Sequence, residues 1–238
     1  MQGQWAQQWA QQWAVGAYLE FDEVTPQALE RALMLPGGGC WNVGPGQFTD
    51  DTELALCQAH GLAGHAPSGG LPASAVAREY AWWCNKSEPF DVGATTHQAF
   101  SLDFAHTTDF AAAVQANVCN AGSLGSKANG ATMRGTPLAI WAHTLSVAAA
   151  AEAAMQDAAL SHPSKACQHA NAAYVLAVAA LVRRPGDAEG AVAVAEGWAA
   201  AHASAEERGW LADARDDGAA WQATRPQSRS ALWRTPYG

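Results

Sequence analysis

Residues 46–59, GQFTDDTELALCQA, set Thr49, Asp50, Asp51 and Thr52 side by side and then run into a helix-like segment, Glu53–Ala59. Adjacent oxygen-bearing side chains at a helix start can hold a hard divalent cation such as Mg²⁺ or Mn²⁺, because such ions prefer oxygen ligands. The same residues also read as a capping box. Asp50 with Glu53 three positions on would satisfy the orphan amides of a helix start without any metal. Spacing alone leaves both readings open. Upstream, Pro36, Gly37, Gly38 and Gly39 open a loop that ends in Gly44, Pro45 and Gly46. These breakers bring the chain to Thr49 in a non-helical conformation, which a cap residue and a ligand residue both need.

The bulk composition points the same way as the helix. The chain has 238 residues, long enough for one domain with a substantial core. Hydrophobic residues make up 49% and charged residues only 15%, with alanine throughout, which favours closely packed helices. A net charge of −9 argues against broad nucleic-acid binding and against a polybasic membrane surface, but leaves room for a local cationic pocket. No apolar run is long enough to predict a membrane span, and the N-terminus has no secretory signal pattern. The cysteines at 40, 57, 84, 119 and 167 are odd in number and scattered, as expected of free thiols in a cytoplasmic protein.

Outward from the opening stretch, residues 1–13 (MQGQWAQQWAQQW) repeat every four residues and align Trp5, Trp9 and Trp13, a low-complexity start with no assigned function. Residues 73–84 carry Val76, Tyr80 and Trp83 at helical spacing, and a helix over about 109–120 is built on Phe110, Val114 and Val118. Further helices are predicted over about 137–145, 147–160, 163–183 and 188–203. Ser204 with Glu207 caps one more, ending near Arg215.

Between these helices lies AGSLGSKANGATMRGTP, residues 121–137. Its glycines, serines and Asn129 leave backbone amides unencumbered just before a helix that Pro137 can start at its first position. Such a loop can cradle phosphate without a positive net charge, although Gly/Ser loops usually only connect. His162 precedes Pro163, ordinarily a turn position. The other histidines show no paired metal-ligand spacing.

Taken together, these blocks resemble the ADP-ribosylglycohydrolase family. TDDTELAL resembles its metal-binding signature at a helix start. SKANGATMRGTPL resembles Ser-x-Gly-Asn-Gly-Ala-Ala-Met-Arg-x-x-Pro-Leu, with Ser126, Asn129, Gly130, Ala131, Met133, Arg134, Pro137 and Leu138 in register and Ala128 in place of a glycine. AVGAYLEF, residues 14–21, resembles the first family block through Glu20 and Phe21, without its earlier aspartate. Phe90-Asp91-Val92-Gly93 resembles a short element that starts the following helix. Ser161-His162-Pro163 resembles a Thr-His-Pro junction. On its own, Glu20 reads as a solvated charge.

The resemblance implies a single all-α, orthogonally packed domain over residues 14–215, with residues 216–238 as a divergent, irregular tail. It implies hydrolysis of the glycosidic bond between ADP-ribose and a protein side chain or small acceptor. Glu20, Asp50 and Asp51 would be catalytic, and Thr49, Asp50 and Asp51 would hold the metal. Ser126, Asn129, Gly130 and His162 would bind the ADP-ribose diphosphate and ribose. The family uses two Mg²⁺ or Mn²⁺ ions, the second held by a Gly-Gly-Asp-x-Asp-Thr block near the C-terminus. No such run occurs here, and Asp216-Asp217 lacks its spacing. The reading is therefore a C-terminally shortened member holding one ion or none, with impaired turnover. Its partner would be an ADP-ribosylated protein or small ADP-ribose conjugate, with neither nucleic acid nor membrane. Two rivals share the scaffold: a non-catalytic ADP-ribose or nucleotide binder, and a structural, crystallin-like protein.

Overall fold

The computed structural model describes residues 25–120 and 123–213. The low-complexity start, Glu20, and the Asp216-Asp217 pair with its tail lie outside the described residues. Among the described residues, ten α-helices follow one another. They are α1 (Pro26–Leu33), α2 (Asp50–Leu62), α3 (Ala73–Lys86), α4 (Ala94–Phe100), α5 (Phe110–Asn120), α6 (Thr136–Ala142), α7 (Val147–Ala159), α8 (Lys165–Arg183), α9 (Ala188–His202) and α10 (Ala205–Asp213). Among the described residues there is no strand, only an isolated bridge between Gly38 and Val43. The chain is all-α, as its alanine content and periodicity predict.

The pattern that predicted the helices also builds the core. Val76, Tyr80 and Trp83 on α3 are buried against Phe110, Val114 and Val118 on α5, and one continuous apolar cluster extends from there to Trp198 and Ala199 on α9. Helix α2 packs on α3 at a point where size decides the fit. A Cβ on Gly61 would lie 2.6 Å from the Val76 Cα, so only glycine permits this crossing. Helices α7, α8 and α9 pack in sequence through alanine faces, which allow close approach.

Start signals sit where the physics of caps puts them. The side chains of Thr25, Ser146, Ser164 and Asp187 accept from the amides of Ala28, Ala149, Cys167 and Gly190 respectively. Ser204 and Glu207 form the predicted capping box: the Ser204 amide donates to Glu207 Oε2 at 2.7 Å, and the Glu207 amide to Ser204 Oγ at 3.3 Å. Helix α6 begins one residue earlier than expected, at Thr136 with Pro137 inside the first turn, and ends at Ala142, three residues short of the expected end. Among the described residues, no helix is long and apolar enough to cross a membrane.

Candidate functional site

Thr49 is the N-cap of α2, in an extended conformation, and its side chain makes no capping bond. Instead its hydroxyl donates to Asp51 Oδ2 at 3.3 Å, and Asp50 Oδ1 accepts from the Asp51 amide at 3.0 Å. The capping-box reading fails on Glu53. Its Oε2 accepts from the Trp83 indole N–H at 2.6 Å, reaching across to α3 and not back to its own helix start. A buried indole N–H needs an acceptor, and Glu53 supplies it.

Whether this start suits a cation is a question of donor chemistry. Thr49 is buried, and Asp50 and Asp51 are half-buried. Thr52, 5% exposed, has a hydroxyl oxygen with no hydrogen-bond partner. Two carboxylates, a buried hydroxyl and an orphaned buried oxygen in one turn are hard donors, and they fit Mg²⁺ or Mn²⁺. Among the described residues, no cluster of three His, Cys, Asp or Glu side chains surrounds them.

The second block, before α6, is fastened from below. The Ser126 carbonyl accepts from the Ser164 hydroxyl at 2.8 Å, and the Ala128 carbonyl from the Cys167 thiol at 3.3 Å, tying the loop to the start of α8. Ser126 is half-buried, with its hydroxyl 3.4 Å from that of Thr95, whereas the Asn129 side chain is exposed. Gly130 is buried and has no room for a Cβ, which would lie 2.6 Å from His162 Cε1 and 3.1 Å from Thr96 Oγ1.

Beneath Gly130 lies a polar network that the sequence did not disclose. Arg134, fully buried, donates through Nη1 to the Gly130 carbonyl at 3.1 Å and to Ser161 Oγ at 2.9 Å. Its Nε meets Asp157 Oδ2 at 3.3 Å, and Nη2 donates to the Asp157 carbonyl at 3.0 Å. The Tyr80 hydroxyl donates to Asp157 Oδ1 at 2.8 Å, and the guanidinium lies over the Tyr80 ring at 4.4 Å. This network joins α3, the loop and the end of α7. A buried ion pair in this setting fixes geometry more than it stabilises. Asp157 could have been found in the sequence: it is an acid on the buried face of an alanine helix, and such a charge needs a buried partner.

His162 is 1% exposed and shares a 2.9 Å hydrogen bond through Nδ1 with Ser161 Oγ. Burial, reinforced by the nearby Arg134 charge, lowers its pKa from 6.5 to about 3, so the ring is neutral at physiological pH. It lies under the loop, against Gly130. Helices α2 and α6 are linked where Gln58 Oε1 accepts from the Leu138 amide at 2.9 Å. The groove of about 750 Å³ between them is lined by Ala55, Leu56, Ala59, Ile140 and Trp141 among others and contains none of the candidate polar residues.

An all-helical chain with an oxygen-rich helix start and a pinned Gly/Ser/Asn loop matches the family model of the ADP-ribosylglycohydrolases over residues 14–237, and the chain belongs to that family. One similar protein is the ADP-ribosyl-[dinitrogen reductase] glycohydrolase of Rhodospirillum rubrum, 34% identical over 131 residues. That alignment covers 53% of this chain and 40% of the relative, so the chain spans well under half of that protein's length.

Proposed function

We propose that the chain is a metal-dependent ADP-ribosylglycohydrolase, cleaving the N- or O-glycosidic bond that joins ADP-ribose to a protein side chain or small acceptor. The observation that carries this reading is the fastened loop. Family membership narrows the ligand to ADP-ribose, and the loop offers Ser126 and the exposed Asn129 on a backbone held at Gly130 by Arg134. Holding the diphosphate there positions the anomeric carbon, and such positioning contributes orientation more than chemistry. His162 serves this step from beneath: as a neutral ring packed on Gly130, it sets the height of the loop.

Thr49, Asp50 and Asp51 would hold the Mg²⁺ or Mn²⁺. When bound, the ion supplies charge stabilisation and a polarised water near the ribose hydroxyls. Glu20, in the block that resembles the first family motif, would move a proton at the leaving group or the water. Turnover is proposed to depend on the ion held at this helix start. The five cysteines, odd in number and scattered along the chain, support placing the protein in a reducing compartment such as the cytoplasm.

The test is calorimetric titration of ADP-ribose into the chain. Saturable binding supports the reading. Binding that Asn129→Asp leaves unchanged would overturn the loop assignment, since a carboxylate beside a diphosphate costs on the order of 1 kcal/mol or more.

A further inference from the structure

The loop of residues 121–133 contains a single lysine or arginine, Lys127, immediately after Ser126 and two residues before Asn129. Arg134 follows but is committed to Asp157 in the interior. Lys165, at the start of α8, hydrogen-bonds Gln168. Lys127 is thus the cation on the loop itself, and it is already engaged. Its Nζ donates to both carboxylate oxygens of Glu206 on α10, at 3.0 and 3.2 Å, and lies 6.0 Å from the Trp210 ring.

The partner is delivered by a well-fastened helix. Glu207, next to Glu206, closes the capping box with Ser204 and meets His169 Nδ1 on α8 at 2.8 Å. The Lys127–Glu206 pair itself is open to solvent, with side chains 56% and 61% exposed. An exposed pair of this kind is weak, and a ligand carrying two adjacent negative charges can displace a single carboxylate from the lysine.

We propose that Lys127 neutralises the diphosphate of ADP-ribose and that Glu206 is its resident counter-anion, which the ligand must displace on binding. The proposal rests on the 126–130 loop being the ADP-ribose site. It adds a charge-bearing residue to that site and makes α10 a brake on affinity. Glu206 occupies the lysine when the site is empty and loses it when the diphosphate arrives.

The experiment is calorimetric titration of ADP-ribose into the full chain and five variants: Glu206→Gln, Lys127→Met, Lys127→Arg, Lys127→Met/Glu206→Gln and Asn129→Asp. Glu206→Gln should tighten binding about two- to fivefold, the range of a weak exposed pair. Lys127→Met should weaken it by a similar factor, and Lys127→Arg should restore it. In the Lys127→Met background, Glu206→Gln should have no effect. Tightening that persists without Lys127 would be a general charge effect and would overturn the proposal. So would a Glu206→Gln affinity equal to that of the unmodified chain. If Asn129→Asp weakens binding while the Glu206 and Lys127 variants do not, the loop assignment stands and this proposal alone falls. If the unmodified chain binds no ADP-ribose, both fall together.

Discussion

His162 gives the structure a pH dependence that can be worked out in advance. Its pKa falls from 6.5 in the unfolded chain to about 3 in the fold, chiefly through burial and secondly through Arg134. Below pH 6.5 the unfolded chain takes up a proton that the folded chain refuses. Stability from this residue is therefore complete above pH 6.5 and is lost as pH falls toward about 3. Each pH unit in that window removes about 1.4 kcal/mol, so two units below 6.5 should cost roughly 3 kcal/mol. The assay is urea unfolding of the chain and of His162→Gln from neutral pH downward. Glutamine keeps a polar side chain but does not titrate, and carboxylates common to both proteins cancel in the difference. The advantage of the unmodified chain over His162→Gln should shrink steadily with acidification. A difference that stays constant over those two units would mean that His162 is protonated in the folded state, and the description of a neutral ring beneath Gly130 would be wrong.

Gly130→Ala should destabilise the fold by about 1–3 kcal/mol, since the new methyl meets the His162 ring in a packed interior; thermal unfolding reads this directly. Asp157→Asn should cost about 3–5 kcal/mol in denaturant unfolding, because it leaves the Arg134 guanidinium buried without its counter-charge. Asp50→Asn and Asp51→Asn should change metal-free stability little, yet remove the rise in melting temperature that Mg²⁺ or Mn²⁺ gives the unmodified chain. A metal-induced rise that survives both substitutions would contradict the ligand assignment.

Much of the fold was legible because apolar periodicity marks the buried face of a helix. Val76, Tyr80 and Trp83, and Phe110, Val114 and Val118, are buried as their spacing predicts. The capping box at Ser204 was legible for a similar reason: its partners are three residues apart. Contacts set by tertiary structure were not legible. Glu53 has the spacing of a cap partner, but the indole of Trp83, thirty residues away, takes its carboxylate. Asp157 looks like one polar residue in an alanine helix, and nothing local names Arg134 as its partner. Helix α1 was missed although Thr25-Pro26 carries a cap followed by a first-turn proline. In the candidate site, spacing identified the oxygen run and the glycine-rich loop. It could not show that His162 lies under the loop or that Lys127 reaches Glu206 across 79 positions.

The most direct test is release of free ADP-ribose from an ADP-ribosylated protein by the 238-residue chain in excess Mg²⁺ or Mn²⁺. The account predicts release that stops when the metal is chelated and that Asp51→Asn abolishes while the variant stays folded. Release at an undiminished rate by Asp51→Asn, or by the chelated protein, would contradict it.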